Sequence, residues 1–277
     1  MAQPQIDANA FHRFEHEGWQ QASDDYHRYF GSLTSQTIGP LLDAVAAGPK
    51  TNLLDIASGP GYVSAEAQRR GWMPVGVDFS EAMVVMARKL HPTIDFQIGD
   101  AEALAFGDAQ FGTAVMNFGI LHLAQPESAI REAYRILRPG GFFGFTVWAK
   151  PEEAVGFAVA LDAIREFGDP NVQLPAGPPF FRFSEPAEST SVLKSAGFEN
   201  PTVAQIPLAW KLASGADVFE AFYRGSARTG GLLRAQPASA LAKVQAAIEK
   251  RAGAYAATEG RLKIPMPALV VSARKPR

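Results

Sequence analysis

Short apolar runs alternate with helical patterns through the middle of the chain. The runs predict buried strands at residues 52–57, 73–78, 94–98, 112–118 and 142–148. Apolar side chains at three- and four-residue spacing predict helices between these strands, and Ser80 is a suitable N-cap for one of them. Such alternation predicts crossover connections. We therefore expect an α/β fold whose doubly wound, mostly parallel sheet has helices on both faces.

The rest of the chain supplies two more strands and three helical units. Two later apolar runs predict strands at residues 201–207 and 262–273. They bring the expected sheet to seven strands. Residues 1–35 carry apolar side chains at helical spacing, so we expect an N-terminal helical lid that packs on the core, closes over a ligand, or does both. Residues 36–277 should form one α/β domain, with helical cap inserts at about 150–184 and 209–258.

Composition and charge narrow the class of protein. Apolar residues make up 47% of the 277 residues, which is enough for a hydrophobic core. Acidic residues outnumber basic ones by 28 to 26, and the resulting net charge of −2 disfavours a nucleic-acid-binding protein. The absence of cysteine excludes disulfide frameworks, thiolate metal sites and cysteine nucleophiles.

Metal and membrane partners are not expected either. The five histidines stand without a close cluster of His, Asp and Glu, so the spacing of a metal site is missing. The N-terminus lacks the basic start and apolar run of a secretory signal, and no stretch reaches the roughly 20 apolar residues of a membrane helix. We expect a cytoplasmic protein that is a monomer or a homodimer.

The sharpest motif is a glycine loop at residues 55–61, which reads DIASGPG between a strand and a helix. Glycine lets the backbone approach a ligand closely, and the start of the following helix exposes unpaired N–H groups. Asp78 follows 17 residues after Gly61, at the end of the second strand. A carboxylate at this place can accept hydrogen bonds from both hydroxyls of a ribose. The two features together predict a nucleotide-like cofactor.

Two cofactor classes satisfy this pattern. Dinucleotide enzymes use G-x-G-x-x-G, but after Gly59 and Gly61 the third position holds Ser64, so the pyrophosphate-binding motif is incomplete. S-adenosylmethionine has no phosphate, and the loop then only has to pass close to its amino-acid and ribose parts. Asp55 would add a negative charge near the ammonium group of that cofactor. Both classes stay open on these residues alone.

Four blocks resemble the class I S-adenosylmethionine-dependent methyltransferases in order and spacing: LLDIASGPGYVS, PVGVDFSEAMV, FQIGDAEALAF and REAYRILRPGGFF. Within that superfamily they are similar to the ubiquinone and menaquinone biosynthesis enzymes and to small-molecule methyltransferases of natural-product pathways. The resemblance covers residues 50–148 and implies a Rossmann-like methyltransferase fold. It says little about the predicted lid or the two inserts.

The resemblance also implies a cofactor role for each matched position. The methionine part would be held by residues of the first loop: Asp55, Ala57, Ser58, Gly59 and Gly61. Asp78 would bind the ribose, and Phe79 would lie against the adenine. Asp100 would accept a hydrogen bond from the adenine amino group, with Ala101 alongside. Asn117, at the end of the fourth strand, would face the methionine end with its backbone or its side chain.

Two positions depart from the pattern of the family. Ala57 stands where many members have the first glycine, and Gly112 stands where an aspartate often follows the phenylalanine. We have no physical account of Gly112. A turn or cap role is the structural alternative for the aspartates at the strand ends.

Methyl transfer from a sulfonium needs alignment of nucleophile, methyl group and sulfur. A base is needed only where the acceptor carries a proton of high pKa. His122, just past the fourth strand, is the candidate base, and Tyr26 and Tyr223 are candidates for hydrogen bonds to the acceptor. A purely structural role is the alternative for each of the three.

The acceptor is suggested by the inserts, which are rich in aromatic residues: Phe157, Phe167, Phe180, Phe181, Phe183, Trp210, Phe219, Phe222 and Tyr223. An apolar pocket built from them suits a planar molecule. We predict transfer of a methyl group from S-adenosylmethionine to an O, N or C nucleophile of a small aromatic or quinone-like molecule, with S-adenosylhomocysteine as product. The alternatives are an NAD(P)-dependent oxidoreductase and a non-catalytic S-adenosylmethionine-binding protein.

Overall fold

The computed structural model describes residues 7–45, 48, 50–257 and 260–277. Residues 1–6 of the predicted lid and residue 258 of the predicted second insert lie outside the described residues. The strands are β1 (Asn52–Ile56), β2 (Met73–Asp78), β3 (Asp95–Ile98), β4 (Phe111–Asn117), β5 (Leu137–Trp148), β6 (Glu199–Ile206), β7 (Ala209–Leu212), β8 (Leu262–Pro265) and β9 (Ala268–Arg274). The helices are α1 (Ala8–Tyr29), α2 (Gly31–Thr34), α3 (Ile38–Ala44), α4 (Tyr62–Arg69), α5 (Glu81–Leu90), α6 (Pro126–Ile136), α7 (Val155–Phe167), α8 (Pro186–Ser195), α9 (Gly215–Gly225), α10 (Arg228–Arg234) and α11 (Ala238–Ala252).

The main sheet has seven strands among the described residues, in the order β3-β2-β1-β4-β5-β9-β6. Neighbouring strands run parallel from β3 to β5, whereas β9 runs antiparallel to both β5 and β6. The predicted seven-stranded, mostly parallel sheet is therefore confirmed. The direction of winding reverses between β1 and β4, and ligands of such sheets bind in the crevice at the carboxyl ends of the strands near this point.

The end of the chain differs from its prediction as a single strand over residues 262–273. It forms two strands, of which only β9 joins the main sheet. β8 pairs with β7 in a separate antiparallel sheet, so the second insert begins with a strand, and the helices α9, α10 and α11 follow it. Pro265 and Pro267 lie at the break between β8 and β9. A proline has no backbone N–H to donate, so a continuous ladder would lose hydrogen bonds here.

The N-terminal helix α1 is fixed to two other parts of the fold. Gln20 in α1 accepts hydrogen bonds through its side-chain oxygen from the Ser80 hydroxyl, at 2.7 Å, and from the backbone N–H of Ala82, at 2.8 Å. At the end of the helix, the buried indole N–H of Trp210 donates to the carbonyl oxygen of Tyr29 at 2.8 Å. These contacts hold α1 near the start of α5 and against the second sheet.

The ring of Phe96 packs against the glycine loop and against β2. Phe96 in β3 is 1% exposed. A Cβ atom added to Gly61 would lie 2.5 Å from its Cζ atom, and one added to Gly76 would lie 2.3 Å from its Cδ1 atom. Because real Cβ atoms do not approach ring carbons so closely, both positions require glycine while this ring occupies the space.

We expect Gly76→Ala to lower the free energy of unfolding by about 1–3 kcal/mol, since the added methyl group overlaps the buried Phe96 ring. Urea denaturation measures this change. Gly253→Ala is the matched control, because a Cβ at Gly253 meets no atom within 4 Å and its φ of −57° suits any residue. That control should be neutral or stabilising by up to about 1 kcal/mol. Equal destabilisation of both variants would contradict the steric explanation.

Candidate active site

A cleft of about 930 Å³, open to solvent, lies at the carboxyl ends of β1, β2 and β4. We call it the sheet cleft. It is lined by nine of the ten residues predicted to bind the cofactor: Asp55, Ala57, Ser58, Gly59, Asp78, Phe79, Asp100, Ala101 and Asn117. The tenth, Gly61, caps α4 and is not among the lining residues. The structure therefore brings the first three sequence blocks and the end of β4 to one place, whereas the fourth block contributes no lining residue.

The first loop reaches the cleft through an unusual backbone. Ala57, Gly59 and Gly61 have φ values of +54°, +50° and +83°, in the left-handed region. A side chain at Gly119 would collide with this loop, because its Cβ would lie 2.5 Å from that of Ala57. At position 57, alanine thus has a left-handed backbone conformation that glycine would adopt at a lower energetic cost. This position is the one where many members of the resembling family carry the first glycine.

Asp55 is fully buried at the end of β1. Its Oδ2 atom accepts hydrogen bonds from the backbone N–H of Ser64, at 3.0 Å, and from the Ser64 hydroxyl, at 2.7 Å. Its Oδ1 atom has no hydrogen-bond partner among the described residues, and neither has the buried hydroxyl of Ser58. Burial raises the pKa of Asp55 to about 7, against the lowering effect of the bonds from Ser64.

Asp78 holds the loop and the start of the next helix together. Its Oδ2 atom accepts from the backbone N–H of Gly59 at 2.8 Å, and its Oδ1 atom accepts from that of Ser80 at 2.9 Å. Burial raises the pKa of Asp78 to about 6, while these two bonds lower it. The carboxylate is thus fixed at the rim of the sheet cleft, with lone pairs left for a ligand.

The far end of the sheet cleft is closed by α1. The rings of His12 and His16 stand edge-on to the ring of Phe79, with centroid distances of 5.6 and 5.4 Å. The Nε2 atom of His12 lies 3.2 Å from Oδ2 of Asp100. The other carboxylate oxygen of Asp100 accepts from the backbone N–H of Glu102 at 2.8 Å. Phe79 and Asp100 therefore both lie next to α1 at this end of the sheet cleft.

The side chain of Asn117 makes three hydrogen bonds within the protein. Its Oδ1 atom accepts from the hydroxyls of Thr37, at 2.8 Å, and Thr146, at 2.7 Å. Its amide nitrogen donates to the carbonyl oxygen of Thr34 at 3.3 Å. The side chain thus ties the N-terminal segment to β4 and β5, although the residue also lines the sheet cleft.

A second cavity of about 420 Å³ adjoins the sheet cleft. We call it the aromatic chamber. Its ring-bearing lining residues are Trp19, Tyr26, Phe30, Phe118, His122, Trp148, Phe157, Phe180 and Phe222. Both cavities share Trp19, Tyr26, Thr34, Phe118 and His122. Three of the nine aromatic residues predicted from the inserts line the chamber, and the sheet cleft opens onto it.

The three residues predicted to act on the acceptor lie in different places. His122 lines both cavities, and Tyr26 does so too. The Tyr26 hydroxyl donates to the Thr34 hydroxyl at 3.0 Å, and burial raises the pKa of Tyr26 to about 12. Tyr223 stacks on Phe219 in α9 at 5.2 Å between ring centroids and lines neither cavity.

Two charged residues near the aromatic chamber were not predicted from the sequence. Glu15 in α1 is fully buried, and Arg228 in α10 lines the aromatic chamber. A signal for Glu15 exists, because it occupies the apolar stripe of the predicted helix between Phe11 and Gly18. A charged residue in such a stripe needs a partner inside the fold. The sequence carries no comparable signal for Arg228.

The residues of the sheet cleft fit S-adenosylmethionine. The unpartnered Oδ1 of Asp55 and hydroxyl of Ser58 suit an ammonium group, which donates hydrogen bonds and carries a positive charge. The fixed carboxylate of Asp78 suits a ribose diol. Ser64 stands where dinucleotide enzymes have their third glycine, and its N–H and hydroxyl are used by Asp55. The donor set therefore favours an adenosyl cofactor over a dinucleotide.

Comparison with known proteins agrees with this site. Residues 54–145 match the family described as methyltransferase domain. A demethylmenaquinone methyltransferase of Renibacterium salmoninarum is 38% identical over 101 residues, which cover 36% of this chain and 43% of the relative. The match thus spans less than half the length of that relative.

Solved structures agree on the fold. The YcgJ protein from Bacillus subtilis has a TM-score of 0.57 at 17% identity, covering 87% of this chain and 99% of its own. A phosphoethanolamine N-methyltransferase 2 of Haemonchus contortus, in complex with phosphomonomethylethanolamine and S-adenosylhomocysteine, has a TM-score of 0.56 at 16% identity, covering 96% of this chain and 60% of its own. Residues 54–145 thus match a methyltransferase domain in sequence, the chain shares the fold of these solved structures, and the residues of the sheet cleft fit S-adenosylmethionine.

Asp55 should make stability depend on pH. Its pKa is about 7 in the folded protein, against 3.8 for an exposed aspartate. Between about pH 4 and pH 7 the folded protein keeps a proton that the unfolded chain has lost, so the free energy of unfolding falls as the pH rises. Asp78, whose pKa is also raised, adds an effect of the same sign.

We therefore expect Asp55→Asn to be more stable than the natural protein at pH 8, without ligand, and to lose this advantage at about pH 4. Urea denaturation at both pH values measures the difference. Asp95→Asn is the control, because Asp95 is exposed at the opposite end of the sheet. If Asp55→Asn is destabilised equally at both pH values, the carboxylate is not held at a raised pKa.

Proposed function

We propose that the protein transfers a methyl group from S-adenosylmethionine to a small aromatic or quinone-like molecule by in-line displacement. The observation that carries this proposal is the shared wall of the two cavities. Tyr26, Phe118 and His122 face both the sheet cleft and the aromatic chamber. A molecule in the chamber would therefore adjoin a cofactor in the cleft, as a direct transfer requires.

The residues of the chain would mainly bind, orient and exclude water. The bound cofactor supplies an activated methyl group on a sulfonium sulfur. Asp55 and Ser58 would hold its amino-acid part, Asp78 its ribose, and Phe79 with Asp100 its adenine. Rings of α1 and of the inserts would hold the acceptor in line. Positioning of this kind contributes roughly 7–11 kcal/mol to lowering a reaction barrier.

Several properties support a small acceptor rather than a nucleic acid. The aromatic chamber is lined largely by aromatic side chains, which suit a flat molecule. The net charge of −2 gives no basic surface excess for phosphates. The curated relative acts, by its name, on demethylmenaquinone. A quinone-like acceptor therefore agrees with both the cavity and the relative.

Binding assays test the cofactor first. We expect S-adenosylmethionine and S-adenosylhomocysteine each to raise the midpoint of thermal unfolding, and NAD and NADP to leave it unchanged. A ligand at about 100 times its dissociation constant adds roughly 2.7 kcal/mol, which for a chain of this size is about 5 °C. Asp78→Asn should weaken S-adenosylmethionine binding by roughly 1.5–3 kcal/mol, because bonds to a charged acceptor are lost.

Asp95→Asn again provides the control and should bind as the natural protein does. A rise with NAD or NADP alone would return the function to the oxidoreductase alternative. A rise with the adenosyl ligands but no release of S-adenosylhomocysteine with any phenol, benzoquinol or naphthoquinol would support the non-catalytic alternative.

A substitution that fills the aromatic chamber should impair methyl transfer without impairing cofactor binding in the sheet cleft. Thr229 lines the chamber but not the sheet cleft. We expect Thr229→Phe to keep the thermal shift with S-adenosylmethionine and to lose most of its methyl transfer to an accepted quinol. Thr190→Phe, on α8 outside both cavities, is the control and should keep both properties. Unchanged transfer by Thr229→Phe would place the acceptor elsewhere.

A further inference from the structure

A buried carboxylate beside the aromatic chamber has no role in the proposed function. Glu15 in α1 is 0% exposed, and its partner His122 lines the chamber. Its Oε2 atom lies 2.9 Å from Nδ1 of His122. Its Oε1 atom has no hydrogen-bond partner within the described ranges. Burying an ionised carboxylate costs several kcal/mol unless other charges and hydrogen bonds compensate, so its place beside His122 needs a reason.

Arg228 in α10 supplies the compensating charge. Its Nε atom lies 3.8 Å from Oε1 of Glu15. The guanidinium is held by donation to the carbonyl oxygen of Pro178 at 2.9 Å, and it lies over the ring faces of Phe11 and Phe180, 5.0 and 5.4 Å from their centroids. Burial lowers the pKa of Arg228, and the charge of Glu15 opposes this effect. The two opposite charges thus offset one another inside the fold.

An ionised carboxylate can only accept hydrogen bonds. The close contact with Glu15 therefore places the proton of a neutral His122 on Nδ1 and leaves the lone pair on Nε2 free. Nδ1 is the ring nitrogen of His122 with a hydrogen-bond partner among the described residues. The charged groups around the imidazole are Glu15 from α1, Arg228 from α10 and Asp78 from β2. His122 lines both cavities and so lies in the region where an acceptor would react.

We propose that Glu15 is a positioning residue that keeps His122 as a base for an acceptor with an aryl hydroxyl group. This inference rests on the proposed function and deepens it. In the reaction the O–H bond of the acceptor breaks, and its proton goes to Nε2 of His122. The oxygen electron pair forms the bond to the methyl carbon, and the electron pair of the breaking C–S bond stays on sulfur. The carboxylate of Glu15 balances the charge of the imidazolium that results.

An aryl hydroxyl group is the kind of acceptor whose reaction gains most from a base. A phenolic hydroxyl has a pKa near 10, so it is almost fully protonated at neutral pH and reacts poorly until the proton is removed. A neutral amine already has its lone pair and gains little from a base before attack. The rings around the chamber suit the flat aryl group that carries the hydroxyl.

The position of the proton on His122 is the first test, and it needs neither cofactor nor acceptor. A long-range ¹H–¹⁵N correlation spectrum of protein labelled with ¹⁵N-histidine distinguishes the two tautomers of each imidazole. His122→Gln assigns the signal by its disappearance. We expect neutral His122 to carry its proton on Nδ1. A proton on Nε2 would overturn the proposal, because Glu15 would then be donating to the ring and no lone pair would be available.

Glu15→Gln is the decisive variant. An amide of the same shape can donate to Nδ1, which leaves the ring proton on Nε2 and blocks the base. We expect the ring proton of His122 to be on Nε2 in this variant, so that the signals of the protonated and unprotonated nitrogens are swapped. The signals of His91, which lies against Phe96, should stay unchanged. Glu17→Gln, on the exposed side of the same helix, is the control and should leave all signals in place. An unchanged His122 tautomer in folded Glu15→Gln would refute the positioning role.

Kinetics test the substrate class. With naphthols and benzoquinols as acceptors and matched arylamines for comparison, we expect transfer to the hydroxyl compounds. Glu15→Gln should lower kcat by roughly 10²-fold or more and leave KM nearly unchanged. Transfer to arylamines alone, or an equal loss of binding and rate, would overturn the proposal.

Different results would overturn the proposed function and the role of Glu15. If S-adenosylmethionine gives no thermal shift, the proposed function fails whatever the tautomer of His122 is. If S-adenosylmethionine binds and His122 carries its proton on Nε2, the proposed function stands and the role of Glu15 fails.

Discussion

The hydrogen bonds of Asn117 determine how the cleft is enclosed. The side chain accepts from Thr37 and Thr146 and donates to the carbonyl oxygen of Thr34, so it joins the N-terminal segment to β4 and β5. A partly buried amide with these partners is costly to detach, because several polar groups would lose their hydrogen bonds at once. The segment that follows α1 is thereby fixed at the carboxyl end of β4. His12 and Trp19 of α1 line the sheet cleft.

The enclosed region concentrates charge that a water-filled groove would screen. Asp55, Asp78 and Glu15 are all buried, and burial raises the pKa of the first two. Such an arrangement costs stability in the free protein. It also provides charged partners that a cation, a diol and an imidazole can use. The site is therefore organised before a ligand arrives, and the compensating groups lie on helices far apart in the sequence, as Arg228 in α10 shows for Glu15.

The amino-acid sequence allowed the central fold and most of the cofactor site to be predicted. Apolar runs followed by polar turns mark buried parallel strands, because only a strand covered on both faces is apolar throughout. The carboxyl ends of such strands meet at one edge, so the residues that follow them lie close together. Asp55, Gly59 and Asp78 could be placed at one cleft for this reason. The exception is the last run, where Pro265 and Pro267 divide one predicted strand into two that join different sheets.

Only the tertiary structure determined which residues line the cavity proposed for the acceptor. Tyr223 and Tyr26 have the same side chain and both lie in helices, yet only Tyr26 faces the cavities. Which face of an insert helix points inward depends on its packing against the rest of the fold, and local spacing does not contain that information. The contact between Glu15 and His122 joins residues 107 positions apart. Local patterns thus determined the strands and the glycine loop, whereas long-range packing determined which polar groups share the aromatic chamber.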